Sequence, residues 1–329
     1  MPSQSAYCSG GWSGDRFDTK KVFCCGVAFF AGGSVLVAAA DGFVALMVGR
    51  ILQGFGAGIF SPLVPILLTR ASPHKPGKAL IFWGGIAGYV AAFAPLFYGS
   101  FLVEYGWHFA FIITAMLAGV ALVVLNRSQT TVDLALGHEP KTDYSALFRA
   151  RDLWVTFVYV FCTYGAITYY LFRLPVWLSK NEVTAASIGF ALTILWLTYS
   201  ALSTLLRNMV DKPHIRMIML AAPLLIAAGL PLLYFDENLL LPILSSILVG
   251  SGLACSNAPS TQLILRLASS GMSAVSTSLD ITFARLGGIA TVAILAEMEF
   301  VYAAVATCLS CLVAAFCALM ASNGFDEGM

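Results

Sequence analysis

Four polar side chains lie within long apolar stretches of the chain, where they could bind a ligand or hold a charge. Arg50 and Gln53 fall in the second apolar segment, and Asp280 and Arg285 fall in the ninth. A charged group at the centre of a membrane span costs about 2.5–3.5 kcal/mol on insertion scales, so such groups usually face a bundle interior or a water-filled cavity. Asp280 is therefore a candidate protonatable group, because burial favours the neutral form of a carboxyl.

Helical geometry decides which of these side chains can act together. Arg50 shares a helical face with Gln53 and Gly54, since residues three or four apart are neighbours on a helix. Asp280 and Arg285 are five residues apart, which is about 140° around a helix, so each needs a partner elsewhere. Two interpretations without a functional role stay open. Arg50 could extend to the membrane surface, and Asp280 and Arg285 could form structural ion pairs between helices.

The composition predicts that membrane-spanning helices position these residues. Of 329 residues, 59% are hydrophobic and 11% are charged, whereas a soluble domain carries about 25% charged residues. We therefore expect an all-α polytopic membrane protein with about ten transmembrane helices of roughly 20 residues each. The predicted spans are 22–40, 43–69, 79–103, 107–125, 153–172, 184–206, 216–235, 239–264, 272–295 and 300–321.

The distribution of Lys and Arg predicts the orientation of these spans. With a cytoplasmic N-terminus and alternating spans, Arg173 and Lys180 fall in external loops, and Arg50 and Arg285 fall inside spans. The other fourteen of the 18 Lys and Arg residues then fall in cytoplasmic loops. This imbalance follows the positive-inside rule, so we expect both termini to be cytoplasmic.

The same composition disfavours other classes of protein. The formal net charge of +1 argues against a nucleic-acid partner, which needs a basic surface. Most of the eight cysteines fall in apolar segments, where Cys behaves as a small hydrophobe, so no disulfide framework is expected. Since no cluster of His and carboxylate residues shares one depth, we expect neither an enzyme nor a bound metal or cofactor.

The chain repeats itself at a spacing of 196 residues. The related pairs are Asp15 and Asp211, Gly54 and Gly250, Gly56 and Gly252, and Arg70 and Arg266. Parallel repeats are common in transporters, whose substrate sites lie at the repeat interface. We therefore predict an N-terminal bundle of four spans over 1–125, a cytoplasmic linker over 126–152 and a six-helix bundle over 153–329. By the same register, the first two helices of a twelve-helix design are expected to be absent.

Four stretches carry motifs typical of one group of transporters. They are the loop with Gly11, Asp15, Arg16 and Lys20; the run Gly49-Arg50-Ile51-Leu52-Gln53-Gly54-Phe55-Gly56-Ala57-Gly58; the pair Pro95 and Gly99; and Arg285-Leu286-Gly287-Gly288. Together they resemble the motifs of the major facilitator superfamily, and the second to fourth are similar to those of its drug:proton antiporter branch.

The resemblance implies a two-bundle fold and a role for each motif. The loop residues Gly11, Asp15, Arg16 and Lys20 would latch the cytoplasmic side, with Asp211, Lys212 and Arg216 as their counterparts in the second half. Arg50 and Gln53 would serve proton coupling or the cavity, and Asp280 and Arg285 would form a second polar site. Small residues allow close helix packing, which we expect at Gly54, Gly58, Pro95 and Gly99. Candidate substrate contacts are the aromatic residues Trp83, Tyr164, Tyr169, Trp196 and Tyr199.

The implied function is proton-coupled export of a small apolar or amphipathic molecule by alternating access. The expected partners of this monomer are its substrate, protons and the lipid bilayer, and the plasma membrane is the expected location. Two alternatives stay open. The chain could be a facilitator or importer of a small polar solute, or a truncated membrane protein that does not transport.

Overall fold

The chain folds into helices wherever its sequence predicts a span. The computed structural model describes residues 19–72, 74–127, 149–209, 215–234, 239–268 and 272–321, and no strand occurs among them. The helices are α1 Thr19–Ala38, α2 Phe43–Phe60, α3 Leu63–Ala71, α4 Pro76–Tyr105, α5 His108–Arg127, α6 Arg151–Lys180, α7 Ala185–Leu206, α8 Ile215–Gly229 with a 3-10 turn Leu230–Tyr234, α9 Leu240–Leu267, α10 Ser273–Leu295 and α11 Phe300–Met320.

These helices confirm the predicted all-α polytopic fold. Within the described residues, nine helical segments are long and apolar enough to cross a membrane. The thirty-residue helix α4 covers the remaining predicted span, 79–103. The predicted span 43–69 is interrupted at Ser61 and Pro62, where α2 ends and α3 begins. Proline has no backbone N–H to donate, so a break at this point follows from the sequence.

One predicted boundary is wrong, and the difference matters for the chemistry. The sequence predicts the fifth span to end at residue 172, which puts Arg173 in an external loop. Helix α6 instead continues to Lys180 with Pro175 inside it, and Arg173 is only 7% exposed. An Arg with a Pro two residues later suggests a helix end, but neighbouring helices can satisfy the backbone groups that a Pro frees within a membrane helix.

The described helices belong to two compact units. Unit 1 lies within residues 1–71, 96–144 and 268–282, and unit 2 lies within 72–95, 145–267 and 283–329. In unit 1, α1 packs against α2 and α5. In unit 2, residues of α6 to α11 and the 3-10 turn form the main hydrophobic core. The predicted domain boundaries at 125 and 153 stay a prediction, and most of the predicted linker lies outside the described residues.

Helices α1 and α2 meet backbone to backbone at glycines. A Cβ atom added to Gly33 would lie 2.6 Å from the backbone nitrogen of Gln53 and 2.8 Å from the carbonyl oxygen of Gly49. A Cβ atom added to Gly56 would lie 2.6 Å from the carbonyl oxygen of Gly26. These distances leave no room for a side chain at either position. Small residues of this kind allow two membrane helices to approach closely. We call these four glycines the glycine seam.

Unit 2 contains an equivalent seam between α8 and α9. A Cβ atom added to Gly252 would lie 2.9 Å from the carbonyl oxygen of Ala222, and one added to Gly229 would lie 3.1 Å from that of Ser245. Each of these four residues stands 196 positions after its counterpart in the glycine seam, in the order Gly56, Gly26, Gly33 and Gly49. The spacing of 196 therefore relates equivalent contacts in the two helix pairs, as the sequence repeat predicts.

Arg216 closes the end of a neighbouring helix in unit 2. It lies in the first turn of α8, and its guanidinium donates hydrogen bonds to the carbonyl oxygen of Ala318, at 3.3 Å from Nε, and to that of Leu319. The last carbonyls of a helix have no partner within it, and a cation there also interacts favourably with the helix dipole. The side chain predicted to serve a gate loop thus caps the C-terminus of α11.

We expect Arg216→Ala to destabilise unit 2. Hydrogen bonds to a charged group contribute about 1.5–3 kcal/mol, and 1 kcal/mol corresponds to roughly 2–4 °C in the Tm of a chain of 150–250 residues. The measurement is the thermal unfolding of the purified protein in detergent. Arg207→Ala, at an exposed Arg that follows α7, is the matched control. Equal Tm values for the two variants would contradict the capping role.

Candidate functional sites within the two units

The predicted loop and helix-packing residues are distributed unevenly over the described chain. Gly11, Asp15, Arg16, Asp211 and Lys212 lie outside the described residues, so the latch stays a prediction. Lys20 lies in the first turn of α1, and Pro95 and Gly99 lie within α4.

In α2, Gly58 is buried and Gly54 is partly buried. The close contact with α1, however, is made by Gly49 and Gly56. The prediction from the spacing of Gly54 and Gly58 did not include these two glycines. They are seven residues apart, as are Gly26 and Gly33 on α1.

Beside the glycine seam, Arg50 starts a chain of hydrogen bonds. Its Nη1 donates to Oε1 of Gln53 at 3.0 Å. Nε2 of Gln53 donates to Oγ of Ser34 on α1 at 2.7 Å, and that hydroxyl donates to the carbonyl oxygen of Phe30 at 2.8 Å. The Gln53 amide accepts through its oxygen and donates through its nitrogen, so its orientation is fixed by its two partners. We call Arg50, Gln53 and Ser34 the arginine relay.

The arginine relay is buried at one end and open at the other. Ser34 and Gln53 are 0% and 4% exposed, whereas Arg50 is exposed at the surface of unit 1. The guanidinium carbon of Arg50 lies 5.9 Å from the ring centroid of Phe111 on α5. Arg cannot lose its proton in a protein and carries five N–H donors. The relay therefore presents a fixed positive charge with donors to spare.

Sequence reasoning missed Ser34, although the sequence carries a signal for it. Ser34 follows the seam glycine Gly33, just as Arg50 follows the seam glycine Gly49. Residues adjacent to a close helix contact lie beside that contact, so polar residues at both positions can meet. The three equivalent positions in unit 2 carry Leu230, Ser246 and Val249, so these positions form no such relay.

Asp280 and Arg285 point to different environments, as their spacing predicts. Asp280 is 5% exposed, and Arg285 on the same helix α10 is exposed. The two glycines after Arg285 bring α10 close to α6 in unit 2. A Cβ atom added to Gly288 would lie 2.7 Å from Oγ1 of Thr168, and one added to Gly165 would lie 3.1 Å from the carbonyl oxygen of Gly287. This motif therefore serves helix packing in unit 2.

Two of the five candidate aromatic residues form hydrogen bonds with one amide in unit 2, and a third packs against one of these two. The hydroxyl of Tyr164 on α6 donates to Oδ1 of Asn257 on α9 at 2.8 Å. Nδ2 of Asn257 donates to the hydroxyl of Tyr199 on α7 at 2.6 Å. The ring of Trp196 contacts that of Tyr199 edge-on, with 5.9 Å between their centroids. We call Tyr164, Asn257 and Tyr199 the amide triad; Asn257 was not foreseen from the sequence.

The other two aromatic candidates lie apart from this arrangement. Tyr169 is fully buried in the core of unit 2, and Trp83 is 39% exposed on α4. One turn of α4 also approaches the triad, since a Cβ atom added to Gly84 would lie 2.6 Å from the hydroxyl of Tyr199. The amide triad offers neutral donors and acceptors among aromatic rings, which suits a ligand with an apolar body and few polar groups.

The part of the chain that the structure describes includes His, Cys, Asp and Glu residues, which are common metal ligands. No group of three or more His, Cys, Asp or Glu residues there is arranged to hold a metal ion. Its described cysteines are free thiols. The described polar groups that bear on the predicted sites are the arginine relay, the amide triad, and Asp280 with Arg285.

An all-helical chain with many spans, equivalent helix pairs and polar groups inside its spans has the features of a membrane transport protein. Residues 6–292 match the model of the Major Facilitator Superfamily, and the chain belongs to that family. Membership places it among transporters rather than enzymes.

Its relatives include proteins named for drug resistance. The chain is 33% identical over 119 residues to the Multidrug resistance protein B homolog of Mycobacterium tuberculosis, covering 35% of this chain and 22% of that protein. It is 33% identical over 118 residues to the Methylenomycin A resistance protein of Bacillus subtilis, covering 35% and 25%. It is 28% identical over 196 residues to the MFS-type transporter dmxR4 of Cryptosporiopsis sp., covering 56% and 32%. These matches span no more than a third of each relative's length.

Solved structures show the same fold over most of the chain. The E. coli fucose:proton symporter superposes with a TM-score of 0.74 at 16% identity, covering 98% of this chain and 90% of that one. The human organic anion transporter MFSD10 superposes with a TM-score of 0.71 at 14% identity, covering 96% and 80%. At these identities the likeness shows the fold alone.

Proposed function

We propose that the chain acts in a secondary transporter that exports a small apolar or amphipathic molecule in exchange for protons. Family membership and the resistance proteins among its relatives support export of such molecules. The arginine relay is the observation that carries the proposal. It holds the permanent charge of Arg50 at bilayer depth, beside the glycine seam between α1 and α2.

A fixed positive charge couples to protons through a carboxyl that approaches it. Two opposite charges 4 Å apart attract by about 4 kcal/mol at an effective dielectric constant of 20. Protonation of the carboxyl removes this attraction, while Arg50 keeps its charge. The relay would therefore favour one conformation when the carboxyl is ionised and release it on protonation. Differential affinity of this kind is what shifts a conformational equilibrium.

The amide triad is the part of unit 2 best suited to the substrate. Its amide and phenol groups form hydrogen bonds without adding a charge, and Trp196 supplies an aromatic face beside Tyr199. Binding sites for small molecules typically combine apolar and aromatic walls with a few placed polar groups. Trp83 on α4 stays a further candidate contact, because an aromatic side chain can line a cavity for an amphipathic solute.

The proposal is tested by transport of ethidium into everted vesicles that carry the full chain, driven by an imposed pH gradient. Arg50→Ala should reduce the gradient-driven rate about tenfold or more, because each tenfold corresponds to only about 1.4 kcal/mol of lost interaction. Arg50→Lys keeps the charge but not the planar fork, so we expect an intermediate rate. Surface amounts are matched by immunoblotting.

Two further measurements separate coupling from binding. Counterflow of ethidium without a gradient should survive Arg50→Ala if the residue serves coupling alone. A gradient-driven rate that is unchanged in Arg50→Ala would refute the proposal. Uptake by the unaltered protein that is insensitive to a protonophore would point to facilitated diffusion instead.

A further inference from the structure

Arg173 is a buried cation that the proposed transport mechanism does not use. It lies in α6, seven residues before the helix ends, and is 7% exposed. Its Nε is buried and has no hydrogen-bond partner in the described part of the chain, nor does any carboxylate there form an ion pair with it. The guanidinium carbon lies 5.2 Å from the ring centroid of Phe300, the first residue of α11.

Two more donors stand on the same face of α6. Tyr169 and Trp177 lie four residues before and after Arg173, which places the three side chains in one row. The Tyr169 hydroxyl and the indole Nε1 of Trp177 are buried and have no hydrogen-bond partner among the described residues. Arg and Trp side chains can only donate hydrogen bonds. A group that satisfies this row must therefore be an acceptor, and the charge of Arg173 favours an anion.

The surrounding protein compensates Arg173 only in part. A buried charge is costly unless it is paired and hydrogen-bonded. Contact with the face of an aromatic ring offsets some of that cost, and Phe300 supplies such a ring. Charged groups inside membrane helices are otherwise found paired or facing a functional site. An anion that binds here would complete the interactions that Phe300 leaves unfilled.

An apolar groove begins at the same aromatic residues. Trp177 stacks on Phe300 with 4.9 Å between centroids, and Tyr234 stacks on Phe300 at 6.1 Å. Phe300 and Tyr234 also line a groove of ≈ 340 Å³ that follows α11 as far as Leu312. The twelve steps from Phe300 to Leu312 rise about 18 Å along a helix. The helices that form the groove are candidate spans by length and composition, which would bring the groove within reach of acyl chains.

We propose that this end of unit 2 binds an anionic amphiphile. Its carboxylate or phosphate accepts hydrogen bonds from Arg173, Tyr169 and Trp177, and its apolar part lies in the groove along α11. Phe300 contacts the guanidinium and also lines the groove, so the two parts of the site meet at this side chain. A free long-chain carboxylate or an anionic membrane lipid supplies the same chemistry.

The test measures binding and not transport, so its outcome does not depend on the proposed function. The full chain is purified into phosphatidylcholine nanodiscs, and radiolabelled laurate is compared with dodecanol, which has the same chain without the charge. A hydrogen bond to a charged acceptor is roughly twice as strong in energy as one to a neutral acceptor. We therefore expect the binding constant of laurate to be about tenfold larger than that of dodecanol. Arg173→Gln should abolish this preference. Lys180→Gln, at an exposed cation near the same end of α6, should leave it unchanged.

Phosphatidylglycerol nanodiscs distinguish the two sources of the anion. Weaker laurate binding in them identifies the lipid headgroup as the competing ligand, and unchanged binding identifies a free carboxylate; either result supports the site. Should Arg173→Gln fail to fold, the variant with Tyr169→Phe and Trp177→Phe removes two donors, keeps the aromatic stacking and should weaken laurate binding severalfold. A preference for laurate that persists in Arg173→Gln, or that is absent from the unaltered protein, overturns the proposal.

Discussion

A single methyl group added at Gly33 is expected to destabilise unit 1 strongly, although the substitution is chemically conservative. In Gly33→Ala the new Cβ would stand 2.6 Å from the backbone nitrogen of Gln53 and 2.8 Å from the carbonyl oxygen of Gly49. Neither atom can turn aside as the tip of a side chain could, so α1 and α2 must separate. Overpacking a tight contact costs about 1–3 kcal/mol, occasionally more, and the separation also breaks the hydrogen bond between Gln53 and Ser34. We expect a lower Tm and loss of gradient-driven ethidium transport.

The adjacent residue provides the control for this experiment. A Cβ atom added to Gly32 meets nothing nearer than Leu52 Cδ2 at 4.0 Å. Since Ala is favoured over Gly in a helix interior by about 1 kcal/mol, Gly32→Ala should leave the Tm unchanged or raise it. Both measurements use thermal unfolding in detergent at matched protein concentration. If the two variants unfold at the same temperature, the glycine seam does not hold the helix pair together.

The second large effect is expected at Asn257. Asn257→Ala removes the acceptor of the Tyr164 hydroxyl and a donor to the Tyr199 hydroxyl in one step. Each polar group left without its partner inside a protein costs about 1–3 kcal/mol. The Tm should therefore fall, and kcat/KM for ethidium should fall about tenfold or more if the amide triad contacts substrate, since 1.36 kcal/mol corresponds to tenfold.

Matched variants separate these two roles of Asn257. Asn208→Ala makes the same change at an exposed position after α7 and should alter neither the Tm nor transport. Tyr164→Phe removes only one hydrogen bond, so its Tm should fall less than that of Asn257→Ala. A variant with lowered Tm but unchanged kcat/KM would make the triad structural and exclude it from the substrate path.

The fold could be predicted from the sequence because the bilayer restricts which backbone structures can form. Every backbone polar group inside a membrane must be satisfied internally, so an apolar stretch of sufficient length becomes a helix. This constraint fixes the existence of a helix but not its ends. Helix α6 extends eight residues beyond the predicted span to Lys180, because residues near Arg173 gain partners from α11 that no local pattern reveals.

The candidate sites were predictable only in part, for a similar reason. Arg50 and Gln53 could be identified because polar residues are rare in apolar spans, and their spacing placed them on one face. Ser34 joins Gln53 from α1, and Asn257 joins Tyr164 and Tyr199 from α9. Such pairings of helices depend on contacts between residues far apart in the sequence. The seam glycines lie in the same category, since only the register between α1 and α2 distinguishes Gly33 from Gly32.

The duplicated seam lets each helix pair serve as the reference state of the other. Both pairs place small residues at equivalent contacts, yet the pair α1 and α2 carries the arginine relay and the pair α8 and α9 carries Leu230, Ser246 and Val249 in its place. The effect of the close backbone contact can thus be separated, within one chain, from the effect of the polar side chains beside it. Differences between the two pairs at equivalent positions report what it costs to hold a charge beside closely packed helices, with the register of the contact already held constant.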